Sequence, residues 1–365
     1  MKKRGRLKRV FAVLLCALLL LPLYGCTGRE LYERLLIHGI GVDAQEDGFL
    51  VTVRSSLSAE DEGEELFTCY GRSVLEALNS LSRSTGRQPF YAHNYLVVFG
   101  KSCAQQGLDH CLDFFVRYYN TRPAVRVYLA EEKAEDVLSF QKDGKFLRMS
   151  ELQQLSDSSR ETGNTVGVEL LDFINAVKRP GCAPVLPVLR AEEQGVEVVS
   201  TACFDGYRFR DFLTLSETRG FLAVKNELER GEAVVFGEFG GVTLSLRGAK
   251  GKVSVSVSEE NGVPAFVLDV RVKGDVSAIS NGRDRLKREE YADIETALSQ
   301  TLTTEIQGAV KKAVLENGCD IFGFGAMIYR SDPQRWKELE KDWTETMKRC
   351  AYTVNVQSTV ARLEE

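Results

Sequence analysis

Two adjoining stretches decide the fold class: residues 233–272, AVVFGEFGGVTLSLRGAKGKVSVSVSEENGVPAFVLDVRV, and residues 287–317, KREEYADIETALSQTLTTEIQGAVKKAVLEN. In the first, short apolar runs at 233–236, 242–246, 252–257 and 264–272 are separated by glycines. Neighbouring strands of this kind favour antiparallel pairing. In the second, Tyr291, Ile294, Leu298, Leu302, Ile306, Val310 and Val314 step by three or four, the spacing of one helix face. Some 30 residues at 1.5 Å each predict a helix of roughly 45 Å, with Gly318 suited to the position just past its end. Strands followed by a long helix indicate an α+β protein, mainly antiparallel sheets with packed helices.

Working outward, Asp332 suits a helix N-cap with Pro333 at the first helical position, and Trp336, Leu339 and Trp343 fall on one face. Residues 353–360 close the chain as a strand. Upstream, 35–42 and 49–53 read as strands around the turn-rich DAQEDG at 43–48, a β-hairpin, with a third strand near 65–70. Helical spacing recurs at 73–82 and, burying Leu108, Leu112 and Phe115, over 105–119. Strands are expected at 94–99 and 124–130. The polar stretch 143–165 reads as a loop or boundary, and a short helix after it stops at Arg179-Pro180-Gly181. A strand at 196–204, a turn at Asp205-Gly206 and a helix over 214–228 lead back to the opening segment. The expected domains are 26–190, with an internal boundary near 143–165, and 195–365.

The 365 residues are 44% hydrophobic and 27% charged, a globular composition. The formal net charge of −5 hides an asymmetry. Residues 2–9 hold six cations (Lys2, Lys3, Arg4, Arg6, Lys8, Arg9), and without them the chain stands at −11. Such an acidic body argues against nucleic acid, whose affinity comes from cationic phosphate contacts. Residues 10–21, VFAVLLCALLLL, are apolar without interruption but too short for a spanning helix of about 20 residues. A basic start and a short apolar core read as a signal peptide, residues 1–25. Leu23-Tyr24-Gly25-Cys26 resembles the lipobox of bacterial lipoproteins, where the cysteine sulfur takes a diacylglyceryl group and the chain is cut before it. The resemblance implies lipidation at Cys26, with two acyl chains giving stable attachment where one does not.

The remaining cysteines, Cys69, Cys103, Cys111, Cys182, Cys203, Cys319 and Cys350, are odd in number and include no C-x-x-C. They read mainly as buried small hydrophobes, with one or two bridges left open. Gly39-Ile40-Gly41-Val42-Asp43-Ala44 fits G-x-G-x-x-A on paper, but a turn and a strand follow where a phosphate-binding helix is required. Asp43, Asp47 and Gly48 lack the remaining ligands of a calcium loop. His110, Cys103 and Cys111 suggest a metal cluster only until spacing is considered: eight residues on one helix separate the two cysteines by about 12 Å. No G-x-S-x-G elbow occurs. No catalytic residue, cofactor or metal is expected.

Four stretches in order resemble the Ger(x)C family, the lipoprotein C subunits of spore germinant receptors. They are Cys26 with Arg29-Glu30-Leu31 and Gly39-Ile40-Gly41-Val42-Asp43; Gly86-Arg87 with Phe90-Tyr91-Ala92-His93 and the strand to Gly100; Cys203-Phe204 with Leu215-Ser216-Glu217-Thr218-Arg219-Gly220; and Asn317-Gly318-Cys319-Asp320-Ile321-Phe322-Gly323-Phe324-Gly325, then Pro333 and Trp336. Thr27-Gly28 replaces the Trp-Asp that family members carry after the cysteine. The resemblance implies a non-enzymatic, multi-domain α+β lipoprotein on the outer face of the spore inner membrane. It implies integral-membrane A- and B-type receptor subunits as partners, with nutrient binding placed in the transporter-like subunit and not here. The rival reading is a solute-binding lipoprotein of a transporter, which needs two parallel lobes around a cleft.

Overall fold

The computed structural model describes residues 34–56, 63–117, 124–257, 263–280 and 285–361. Cys26 and the leader lie outside these residues. The first hairpin pairs β1 (Arg34–Gln45) with β2 (Gly48–Ser56) around Glu46 and Asp47, and β3 (Glu64–Gly71) extends it. Helix α1 (Val74–Thr85) starts where the Ser73 hydroxyl accepts the Glu76 N–H and ends at left-handed Gly86. It buries Val74, Ala77, Leu78 and Leu81. Strand β4 (Gln88–Phe90) and strand β5 (Leu96–Phe99) both lie parallel to β1.

The helix expected over 105–119 is broken. Helix α2 (Lys101–Gln106) stops at Gly107, whose φ of +119° no L side chain readily adopts, and α3 (Asp109–Arg117) restarts beyond it. Leu108 between them is fully buried, and its N–H donates to the Tyr207 carbonyl at 2.9 Å. Strand β6 (Arg126–Ala130), helix α4 (Ala134–Ser139) and a small hairpin of β7 (Gln141–Lys142) with β8 (Lys145–Phe146) follow. The expected loop 143–165 is largely helix: α5 (Met149–Glu161) seats Met149, Leu152 and Ser156 on the sheet. Most of its other residues are polar, so a polar composition masked a short apolar stripe. Helix α6 (Leu170–Lys178) leads into β9 (Val185–Glu192), β10 (Gly195–Asp205) and β11 (Arg208–Leu213).

These strands form one nine-stranded mixed sheet of order β11-β10-β9-β6-β5-β1-β2-β3, with β4 also on β1. Its outer pairs are antiparallel, while β9-β6-β5-β1 are parallel. Parallel strands are covered on both faces, and β5 is buried throughout. Val97 and Phe99 face the layer containing α2, α3 and α6, whereas Leu96 and Val98 face α4 and α5.

Helix α7 (Leu215–Lys225) opens the second unit. A four-stranded sheet follows, of order β12 (Arg230–Gly237), β13 (Gly240–Val257), β14 (Pro264–Ile279) and β15 (Ala351–Ala361). The first three are antiparallel, as expected; β15 returns parallel to β14. The long helix is present as α8 (Glu290–Ala309), running on as a π-helical segment, Val310–Glu316. Leu298, Leu302 and Ile306 are fully buried on the sheet, each contributing roughly 1.5–3 kcal/mol of burial. Helices α9 (Phe324–Ser331), α10 (Pro333–Leu339) and α11 (Trp343–Met347) make up the connection to β15. Asp332 caps α10 by accepting the Arg335 N–H, as its sequence indicates.

Candidate functional site

The Asn317–Gly325 motif lies at the joint between the two sheets. The π-helical segment ends at Gly318, φ +68°, where the Gly318 N–H donates to the Val314 carbonyl. The Asn317 side chain donates to the Lys312 carbonyl at 2.8 Å and to the Asp211 carboxylate at 3.2 Å, tying the helix end to β11. Asp320 is 2% exposed. Its Oδ1 accepts the N–H groups of Gly323 and Phe324, both at 2.8 Å; its Oδ2 accepts those of Gly325 at 2.7 Å and the Trp343 indole at 3.1 Å. Burial pushes this carboxyl up to about 6 against the lowering effect of those four donors.

The same turn grips the first sheet. The Ala183 N–H donates to the Asp320 carbonyl, and the Ala326 N–H to the Gly181 carbonyl. A methyl on Gly325 would meet the Trp336 ring at 2.5 Å and the Gly181 Cα at 2.6 Å, so only glycine permits the approach. Phe324 stacks on Phe266 of β14, centroids 4.0 Å apart, and Phe322 packs on Phe221 of α7.

The LSETRG segment completes the joint. Thr214 and Glu217 cap α7 reciprocally, and the Glu217 carboxylate lies 3.3 Å from Lys312 Nζ. The buried Thr218 hydroxyl donates to Thr201 of β10. Arg219 holds the Glu305 carboxylate of α8 through two nitrogens and donates to the Glu232 carbonyl of β12. Gly220 lets α7 lie on the α8 backbone, where a Cβ would come within 2.6 Å of Ile306 N.

Elsewhere the motif residues also serve packing. Gly39 and Gly41 lie in β1 against Met149 and Ala134, not before a helix. Asp43 is buried and caps α4, accepting the N–H groups of Ala134 and Glu135 at 2.9 Å. Arg87 pairs with Glu65 at 3.0 Å, and Phe90 lies under Arg34. His93 packs obliquely on Phe90, while His110 is exposed beside Asp109.

One cluster had no signal in the sequence beyond an arginine among apolar strand residues. Arg54 is fully buried, donates to the Leu138 carbonyl at 2.7 Å and stacks beneath Phe146 of β8, 4.1 Å from its ring centroid. Its Nη2 is 2.8 Å from Glu64 Oε2, out of line for a hydrogen bond. Glu64 also meets His38 Nδ1 at 3.0 Å and accepts the Met149 N–H.

All seven described cysteines are free, six of them buried. The break at Gly107 overturns the spacing argument, since the Cys103 and Cys111 thiols come near enough to interact; the neighbouring Cys111 thiol, then burial, raises Cys103 far above the ordinary range, and the Cys103 thiol donates to the Val42 carbonyl at 3.3 Å. Burial pushes Cys319 and Cys350 up to about 12. Thiols held protonated are poor nucleophiles. Among the described residues no group of three or more His, Cys, Asp or Glu side chains could hold a metal ion. At the joint the two sheets are held together by a buried carboxylate, a charge pair and close glycine contacts.

Residues 27–191 match the family of the spore germination protein N-terminal domain, and residues 200–364 match the spore germination B3/GerAC-like C-terminal family. Spore germination protein KC of Bacillus subtilis (strain 168) is 26% identical, with 92% of this chain and 91% of that protein covered. Spore germination protein B3 of the same organism is 21% identical over 90% and 91%, and spore germination protein A3 is 22% identical over 92% of each. The crystal structure of the GerBC protein has the same fold, with a TM-score of 0.58 at 16% identity, covering 89% of this chain and 97% of that one. With both halves matched in order, the chain belongs to the GerAC-like family of spore germination proteins.

Proposed function

We propose that this chain is a non-catalytic lipoprotein subunit of a nutrient germinant receptor. It is tethered through Cys26 to the outer face of the spore inner membrane and assembles there with integral-membrane A- and B-type subunits. The observation that carries the reading is the match of both family domains across nearly the whole chain. The motif residues of the joint support a docking role, because Asn317, Asp320, Gly325, Arg219 and Gly220 hold the two units together and, among the described residues, none of them is arranged with a nucleophile and base. No described helix is long and apolar enough to cross a membrane, so attachment would fall to the lipid at Cys26. Tethering confines the body to two dimensions and raises its effective concentration near its partners. The solute-binding alternative needs two parallel lobes, and the second sheet is antiparallel through β12, β13 and β14.

Co-purification of the two membrane subunits with wild-type chain and with Cys26→Ala tests the proposal. Recovery with wild type should be lost or strongly reduced with the variant. Undiminished recovery would show that assembly does not depend on the anchor.

A further inference from the structure

Helix α8 covers one face of the four-stranded sheet; the opposite face is open and its charge runs against that of the whole chain. Register places the residues. Arg230 lies opposite Arg247, Arg247 opposite Lys273, Lys250 opposite Arg271, and Lys252 opposite Asp269. Residues directly opposite share a face, so Arg230, Arg247, Lys250, Lys252, Arg271 and Lys273 point together, all exposed. Three acids stand among them, Glu232, Asp269 and Asp275, leaving the face at +3 on a body of −11. Two of the acids are engaged: Asp275 pairs with Arg247, and Asp269 accepts from the Asn355 amide at 2.9 Å. Lys250, Lys252, Arg271 and Lys273 have no carboxylate partner among the described residues. Two depressions of about 650 and 470 Å³ share Lys250, Arg271 and Gln357 in their walls. At the β12 margin of the same face, Val234 is 49% and Phe236 74% exposed.

We propose that this face lies on the bilayer and binds anionic lipid headgroups in its two depressions; the inference rests on the membrane-tethered reading above. Charge complementarity selects this occupant. Four long cations with no carboxylate partner among the described residues reach phosphates by snorkelling, and an aromatic edge suits the headgroup boundary. A protein partner fits less well, since lysine is depleted from protein interfaces and the centre of this face has no apolar anchor. A single-stranded nucleic acid would need aromatic side chains interleaved with the cations, and Phe236 stands at the margin. Lipidation alone would leave the body free to tumble on its tether. The cationic face would fix its orientation and present the joint and the first sheet to neighbours in the membrane.

The test is lysine acetylation of the full native chain in vesicles of phosphatidylcholine alone and of phosphatidylcholine mixed with phosphatidylglycerol, read by peptide mass spectrometry. Lys250, Lys252 and Lys273 should react roughly tenfold more slowly in the anionic vesicles, and high salt should abolish the difference. Lys337 and Lys341, on the α10 side, should react alike in both. Arg271→Glu with Lys273→Glu should restore reactivity at Lys250 and Lys252. Equal rates in the two vesicles, or equal protection in neutral vesicles, would overturn the proposal. The mass of the N-terminal peptide reads the anchor separately. A lipidated Cys26 with unprotected lysines refutes the face alone, and an unmodified Cys26 refutes the anchor alone.

Discussion

Replacing Glu64 by Gln should destabilise the first sheet by about 3–5 kcal/mol, the cost of leaving one buried charge without its partner. Arg54 is wholly buried and has the Glu64 carboxylate at 2.8 Å, the Leu138 carbonyl, and the Phe146 ring. At an effective dielectric of about 20, two unit charges at this separation attract by about 6 kcal/mol, most of which offsets desolvation. Gln keeps an oxygen for His38 and the Met149 N–H, so the loss isolates the charge on Glu64. Arg54→Met alone should cost about 2–4 kcal/mol for the carboxylate left behind. Removing both charges, as Arg54→Met with Glu64→Gln, should bring stability back to within about 2 kcal/mol of wild type, because Gln still accepts the Met149 N–H and the Leu138 carbonyl is then the main group left unpaired. The singles should therefore exceed the double by at least about 3 kcal/mol of coupling. Guanidinium unfolding followed by far-UV circular dichroism reads the effect. Indole fluorescence serves as an internal control, since the two tryptophans, Trp336 and Trp343, both belong to the second unit. Additive single variants, or a Glu64→Gln cost below about 1 kcal/mol, would refute the buried-pair account.

Asp320, raised from 3.8 to about 6, binds its proton more tightly in the folded chain, so its contribution is full below pH 3.8 and is lost as pH rises through 6. The span corresponds to roughly 3 kcal/mol; Asp320→Asn should flatten that part of the pH–melting curve monitored by tryptophan emission, and an unchanged slope would contradict the assignment. Gly325→Ala should cost at least about 2 kcal/mol by forcing Trp336 and Gly181 apart, seen as a lowered melting temperature. Cys182 is the half-buried thiol among the seven, on the wall of a cleft of about 500 Å³ between α6 and α7. Under native conditions a thiol reagent should label it first, and prior labelling of Cys203 or Cys103 would contradict the packing.

The parts of the fold that sequence discloses are those written in local chemistry. The turn before Gly48, the helical spacing at 73–82, the Asp332-Pro333 helix start and the stripe from Tyr291 to Val314 each depend on residues close to one another along the chain. The break at Gly107 escaped because its cause is distant: the Leu108 N–H is claimed by Tyr207, a hundred residues on. Helix α5 was hidden by its polar composition, its buried apolar side chains being only Met149 and Leu152. Parallel pairing of β15 with β14 has no local signature, since a strand alternates the same way whichever direction its neighbour runs. The joint was visible as a familiar motif, but the four donors that converge on Asp320 could be read only from the folded turn. The Arg54 and Glu64 pair meets across an intervening strand connection, which no spacing rule anticipates.

The late return of β15 has a consequence for biosynthesis. Every element from β12 to α11 can be made before Ala351 is added, yet until then the edge of β14 that β15 covers, Ala265 to Asp275, is eleven residues of bare backbone donors and acceptors. An uncapped strand edge is a template for pairing with another chain. A nascent polypeptide stalled or cleaved short of residue 351 would therefore be adhesive, and the second unit can close only once its final strand is free to add along that edge.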